Sequence, residues 1–285
     1  IEQVDWEGLA GLIEGAEASK AAVPAAEELE PPVVYPRSPA DPETVTRQRR
    51  AREEGERLLA EGRMAAFTVA GGQGSRLGWH GPKGTFPATA IRRASLYQLF
   101  AEQLLRAGVK WGQPVCWYIM TSPANDAESR RFFEKNQYFG LDPEQVTFLT
   151  QGMLPAVDAG TGHVLRAGPD RLALAPDGHG GAFQALYGSG ALARMAASGI
   201  EQIAYAQVDN PLVHLVDPLF LGLHALEGAG MSSKALPKAH PHEKVGTFCQ
   251  VEGRVHVIEY SDLPEAVAEA RGESGQLRFP WGSIA

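Results

Sequence analysis

The sequence predicts an α/β fold: a mostly parallel, Rossmann-like sheet with helices on both faces, preceded by an N-terminal helical segment. Three observations predict it. From Met64 onward, short apolar runs alternate with longer segments of helical spacing, the pattern of parallel strands joined by crossover helices. The first apolar run, MAAFTVA, ends in a glycine cluster. A later run, IAYAQVD, ends in Asp209. Sheets of this kind hold ligands at the carboxyl ends of their strands, where these glycine and acidic residues fall.

The elements follow in order. Residues 1–60 form an N-terminal helical and proline-rich segment, and 61–285 form the sheet-bearing domain. The segment opens with a short helix-like stretch. PPVVYPRSPADP cannot be helical throughout. TVTRQRRAREEGERLLAEG reads as a charged helix with few core positions, lying on a surface or against a partner domain. Then come a strand at MAAFTVA, a helix over 95–108 with Ser95 as N-cap and Gly108 as its terminator, and a strand at VCWYIM. A helix over 125–140, a strand at VTFL, a helix over 181–199, the strand IAYAQVD and a helix over 217–230 complete the alternation. SSKALPK, GTFCQVEG and RVHVIEY are strand-like, the last two joined as a hairpin through Glu252-Gly253. No internal repeat is present.

Composition narrows the function classes. A chain of 285 residues, 44% hydrophobic and 21% charged, buries a core without metal or disulfide staples. Its net charge of −8 argues against a nucleic-acid groove, which needs clustered Lys and Arg. Cys116 and Cys249 each sit in an apolar run and read as buried strand thiols, which fits a reducing cytoplasm. The N-terminal residues lack the pattern of a signal peptide, and no apolar run approaches a membrane span, so no membrane partner is expected.

The most informative stretch is VAGGQGSRLGWHGPKGTFP, residues 69–87. Glycines allow close backbone approach, and successive amides form an anion nest. Arg76 and Lys83 add cations for polyphosphate oxygens. A dinucleotide fingerprint fails, because the third glycine position is Leu77. A Walker loop fails too, because Pro82 precedes Lys83. On its own, a glycine loop is also compatible with a tight strand-to-helix turn.

GGQGSRLGxxxPKG resembles the nucleotide-binding signature of the UDP-sugar pyrophosphorylase family, in particular its UDP-N-acetylglucosamine pyrophosphorylase branch. The resemblance implies a uridylyltransferase that makes a UDP-sugar and pyrophosphate from UTP and a sugar 1-phosphate. By that resemblance Gly71, Gly72 and Gly74 wrap the nucleotide, and Arg76 and Lys83 meet phosphate. Further segments match in the same order. QGMLPAV implies that Gln151 reads the uracil edge, for which an amide that both donates and accepts is suited. APDGHGG resembles the family's PDGNGG loop, placing Gly178 near base or ribose and His179 where the family's asparagine touches the sugar. QVDNPLV implies Asp209 as the Mg2+ ligand, and Mg2+ needs little more than one carboxylate with phosphate oxygens and water. KVGTFC and VIEYSD imply Gly246, Glu259 and Tyr260 as sugar-pocket residues.

Two departures leave the sugar open. His179 replaces the family's asparagine, and FPWGSIA stands where the family has FNAGNIA, with Pro280 and Ser283 at the asparagine positions. Family members continue beyond the position matching Ala285, so the resemblance implies that the C-terminal part of the family fold is absent from this sequence. N-acetylglucosamine 1-phosphate or another hexose 1-phosphate is the expected co-substrate. A non-catalytic uridine-nucleotide binding module is the alternative, and a nucleotidyltransferase using another nucleotide is a third reading.

Overall fold

A computed structural model describes residues 24–158 and 160–283. Contacts gather them into two compact units. One spans Pro42–Ala229; the other takes the described residues on either side of it, 24–41 and 230–283. The helix-like stretch expected at the start of the chain lies outside the described residues.

The larger unit is the predicted sheet. Strands β1 (Met64–Val69), β2 (Cys116–Thr121), β3 (Val146–Thr150) and β4 (Gln202–Gln207) run parallel in the order β3-β2-β1-β4. Phe67 of β1 pairs with Tyr118 on one side and Tyr205 on the other. The chain steps outward from β1 to β3 and then returns to place β4 on β1's free side. That reversal opens a crevice at the carboxyl ends of β1 and β4, where doubly wound sheets take ligands.

Helices cover both faces, as the sequence predicts. Helix α1 (Pro42–Ala60) comes first, and helix α2 (Leu96–Trp111) and helix α3 (Asp126–Lys135) connect the first three strands. Tyr97, Phe100 and Leu104 of α2 and Phe133 of α3 pack with Ala66, Trp117 and Ile119 on one face. Helices α4 (Gly181–Gly188) and α5 (Ala191–Ala197) supply Ala182, Leu186, Ala191 and Met195 to the other face, against Ala65, Phe67, Tyr118 and Met120. The near-continuous burial of β1 and β2 follows from having helices on both sides. Trp117 is buried with its indole N–H satisfied, donating to Thr68 Oγ1 at 2.9 Å.

Left-handed residues, two of them glycines, set helix ends that differ from the expected ones. Ser95 caps α2 as predicted, accepting from Gln98 N. The helix continues through Gly108 to Trp111 and ends at Gly112, which takes the left-handed conformation with φ 74°. The helix expected over 181–199 is two helices, because Gly190 is left-handed at φ 71°. The helix expected over 125–140 stops at Lys135, and a turn with left-handed Tyr138 and Phe139 takes over.

The charged helix α1 belongs with the sheet rather than with the N-terminal segment, so the boundary expected at residue 60 falls instead at Asp41. Its few core positions suffice because it crosses helix α6 (Pro218–Leu226) at close range. A Cβ on Gly55 would lie 1.8 Å from Pro218 O, and one on Gly222 would lie 1.6 Å from Ala51 O. Glycine on each helix lets the two backbones touch. Arg47 of α1 also pairs with Glu227 just beyond α6.

In the other unit β5 (Gly246–Val251) and β6 (Arg254–Ile258) form the predicted hairpin. Glu252 and Gly253 both have positive φ, 48° and 77°, the turn that suits right-twisted strands. Trp281–Ser283 pairs antiparallel with β5, and Leu236–Pro237 pairs with that segment in turn. SSKALPK therefore yields only two strand residues. Leu29, Cys249, Ile258, Val267 and Phe279 form this unit's core. Cys249 is buried as expected, whereas Cys116, at the start of β2, is half-buried; both are free thiols. Among the described residues no helix is long and apolar enough to cross a membrane.

Candidate functional site

The glycine loop doubles back on itself after β1. Gly74 N donates to Gly81 O at 2.9 Å, and Lys83 N donates to Gly72 O at 3.1 Å. These bonds bring Lys83 back beside the glycines that precede it by a dozen positions. Trp79 fills the space beside Gly74, where a Cβ would come 2.7 Å from its side chain. Its indole N–H donates to Thr85 Oγ1 at 2.9 Å. Gly84 admits the Tyr97 ring, which would lie 2.2 Å from an added Cβ.

Asn125 holds this loop from beneath. Its side chain is 1% exposed, accepts from Ser122 N at 2.9 Å, and donates to Ala70 O at 3.0 Å and Gly72 O at 3.2 Å. Sequence reading placed Asn125 only at the start of a helix. The available signal was a polar residue just past the carboxyl end of an apolar strand, at the level of the glycines.

A cleft of about 210 Å³ opens at the carboxyl ends of β1, β3 and β4. Gly71, Gly72, Lys83, Gln151, Gly178, His179 and Asp209 all line it. Seven sequence-selected residues drawn from four separate loops thus meet at one place. The volume is below the ~300–1,000 Å³ typical of sites that enclose a whole ligand. Gly74 is buried behind the loop, and Arg76 is exposed on its turn; neither lines the cleft.

Charge in the cleft comes from two groups. Lys83 Nζ lies 2.8 Å from Asp209 Oδ2, and both side chains keep part of their surface exposed. Asp209 is the one carboxylate among the cleft-lining residues. Gln151, 6% exposed, extends the β3 ladder through its N–H to Thr121 O. Its side chain lies over Gly71, where a Cβ would come 2.6 Å from Nε2. Gly71 is therefore the residue that makes room for Gln151.

The PDGHGG loop is pinned by Asp177, which sequence reading did not single out. Its carboxylate is wedged between two glycines: a Cβ on Gly152 would lie 2.4 Å from Oδ2, and one on Gly181 would lie 2.0 Å from it. Oδ1 is buried with no hydrogen-bond partner among the described residues. Gly178 takes φ 63°, which turns the chain into α4. His179 Nδ1 is hydrogen-bonded to the Tyr205 hydroxyl on β4.

Gly246, Glu259 and Tyr260 lie in the other unit. Gly246 opens β5, and a Cβ there would lie 3.6 Å from Glu259 Oε1, so these two are neighbours. Glu259 and Tyr260 follow β6 rather than ending it, and both are exposed. Pro280 offers its carbonyl, which accepts from Lys238 N at 2.7 Å.

Comparison with known proteins agrees with this arrangement. The family model described as UTP–glucose-1-phosphate uridylyltransferase matches residues 33–279. The chain belongs to this family. It is 40% identical to the human UDP-N-acetylhexosamine pyrophosphorylase-like protein 1, over 90% of this chain and 51% of that protein. It is 37% identical to the Saccharomyces cerevisiae UDP-N-acetylglucosamine pyrophosphorylase, over 79% of this chain and 48% of that one. The chain thus spans about half the length of the curated relatives it matches. Its fold superposes on the Trypanosoma brucei uridine diphosphate N-acetylglucosamine pyrophosphorylase with a TM-score of 0.85 at 30% identity, covering 99% of this chain and 58% of that one. UDP-glucose pyrophosphorylase from Leishmania major shares the fold, with a TM-score of 0.67 at 17% identity.

Proposed function

We propose that this chain carries the nucleotide site of a uridylyltransferase, which joins UTP and a sugar 1-phosphate into a UDP-sugar and releases pyrophosphate. The observation that carries this reading is the convergence of Lys83, Asp209, Gln151 and the Gly71–Gly72 backbone on one cleft at the switch point of the sheet. Membership of the family, and relatives named for UDP-N-acetylhexosamine or UDP-N-acetylglucosamine, support it.

In this reading Gln151 takes the uracil edge, donating to a carbonyl and accepting from the ring N–H. Gly178 packs close to the base or ribose. The amides of Gly71 and Gly72 and the Lys83 ammonium receive the triphosphate, with Arg76 reaching from its exposed turn, while Gly74, its amide engaged by Gly81 O, shapes the loop that carries them. A phosphate oxygen of the sugar 1-phosphate attacks the α-phosphorus of UTP in line. A new P–O bond forms, the bond to the bridging oxygen breaks, and the electron pair leaves with pyrophosphate. The attacking oxygen is already ionised, so no side-chain base is required. Lys83 offsets charge on the reacting phosphates without moving, the preorganised arrangement on which such transfers depend.

The cleft's donor set fits Mg2+, since Asp209 offers a carboxylate with exposed surface beside the expected phosphates. Bound there, the ion would neutralise phosphate charge. His179, Gly246, Glu259 and Tyr260 are the proposed sugar contacts. The two free thiols suit a reducing compartment such as the cytoplasm.

Calorimetric titration with UTP, CTP, ATP and GTP in Mg2+ tests the reading, together with pyrophosphate release in the presence of sugar 1-phosphates. UTP should bind tightest and be consumed. Tighter binding of ATP or GTP would overturn the uridine assignment.

A further inference from the structure

At the rim of the cleft His179 is paired with Tyr205, a residue to which the proposed reaction gives no role. Tyr205 projects from β4 on the face that α4 covers, its ring 5.6 Å from Phe67 by centroids. Its hydroxyl meets Nδ1 of His179, in the turn that leads into α4. His179 is exposed at the rim of the cleft and lines it. An exposed loop imidazole has several rotamers open to it, and the bond to Tyr205 selects one of them.

We propose that Tyr205 is a positioning residue that fixes His179 as a hydrogen-bond donor to the sugar of a bound UDP-sugar. The inference rests on the uridylyltransferase reading of the cleft. In that reading Gln151 serves the base, and Lys83 and Asp209 serve the phosphates. That leaves His179, at the rim, for the group carried beyond them.

The chemistry gives the pair a direction. Burial pushes the Tyr205 phenol up to about 12, so its O–H stays intact across the working range of pH. A phenol is a better donor than acceptor, and an unprotonated imidazole nitrogen is a good acceptor. With Nδ1 receiving the phenol, the neutral ring carries its proton on Nε2. The pair then presents one donor and no acceptor. An asparagine amide would present both. The group that His179 recognises is accordingly an oxygen, either a sugar hydroxyl or an acyl carbonyl.

A double-mutant cycle read by calorimetry tests this. The ligands are UDP, UDP-glucose, UDP-galactose and UDP-N-acetylglucosamine. The proteins are the unaltered chain, Tyr205→Phe, His179→Asn and the double variant. Tyr205→Phe removes one oxygen, and should weaken the preferred UDP-sugar about three- to tenfold while leaving UDP within about twofold. In the His179→Asn background the same change should have almost no effect, since the coupling has already been removed. Equal weakening of UDP and UDP-sugar, no weakening at all, or an effect that persists in the His179→Asn background would each overturn the inference. If the unaltered chain bound no UDP, the uridylyltransferase reading would fall, and this inference with it.

Discussion

Lys83 Nζ and Asp209 Oδ2 stand 2.8 Å apart although the residues are separated by 126 positions. The loop after β1 supplies the cation, and the end of β4 supplies the anion. The pair spans the crevice created by the sheet's reversal of strand order. In the proposed reading, unlike charges placed there hold each other ready for a ligand that carries both phosphate and a metal ion.

Lys83→Ala should therefore cost binding more than stability. Partly exposed pairs of this kind contribute about 1 kcal/mol or less to folding. A lost charged contact to phosphate is worth about 1.5–3 kcal/mol, or roughly ten- to a hundredfold in UTP affinity. Calorimetry and a melting curve on the same variant separate the two effects. A variant that binds UTP normally would remove Lys83 from the site. Asp209→Asn should weaken binding in Mg2+ more than in EDTA, and equal effects in the two conditions would remove the metal role.

Gln151 and Gly71 form a second pair with a separable prediction. A methyl group at Gly71 would collide with the Gln151 amide, 2.6 Å away. Gly71→Ala and Gln151→Ala should both reduce the preference for UTP over CTP, by about 1–3 kcal/mol. Competition between the two nucleotides reads this directly. An unchanged UTP:CTP ratio in Gln151→Ala would end the assignment of Gln151 to the base.

Much of this was legible in the sequence because the fold and site depend on local signals. Alternating apolar runs gave the parallel sheet, and glycines and an aspartate after strands gave the cleft. What the sequence could not show depends on distant contacts. Asp177 matters because Gly152 and Gly181 leave room for its carboxylate. Tyr205 matters because α4 brings His179 to it. Helix α1 read as lying on a surface or against a partner domain because its closest approach to α6 is made by Ala51 and Gly55, which carry no hydrophobic pattern, and only Leu58 and Leu59 add large buried side chains.

Asn125 should be a stability residue that acts on the site. Its amide satisfies three backbone groups in a position 1% exposed. Asn125→Ala leaves Ala70 O, Gly72 O and Ser122 N without that partner, at a cost of about 1–3 kcal/mol for a buried unsatisfied group. Asn125→Asp keeps the acceptor but loses both donors, so it should rescue little. Denaturant unfolding measures the loss. A change of less than about 0.5 kcal/mol would mean that water replaces the amide and the loop is held elsewhere.

Helices α1 and α6 cross with their backbones in contact. A Cβ at Gly222 would fall 1.6 Å from the carbonyl oxygen of Ala51, which belongs to the backbone and has no rotamer by which to retreat. On an isolated helix, glycine to alanine is stabilising by about 1 kcal/mol. Here the helices must separate to admit the methyl group, and the packing of Leu58, Leu59 and Leu221 must open with them. Overpacking of this kind costs about 1–3 kcal/mol and occasionally more, which outweighs the propensity gain. Gly222→Ala should therefore lower the melting temperature, whereas Gly62→Ala, where an added Cβ meets nothing within 4 Å but φ is 69°, should show only the smaller cost of a left-handed alanine. A Gly222→Ala variant as stable as the unaltered chain would mean that α1 does not seat on α6 in solution.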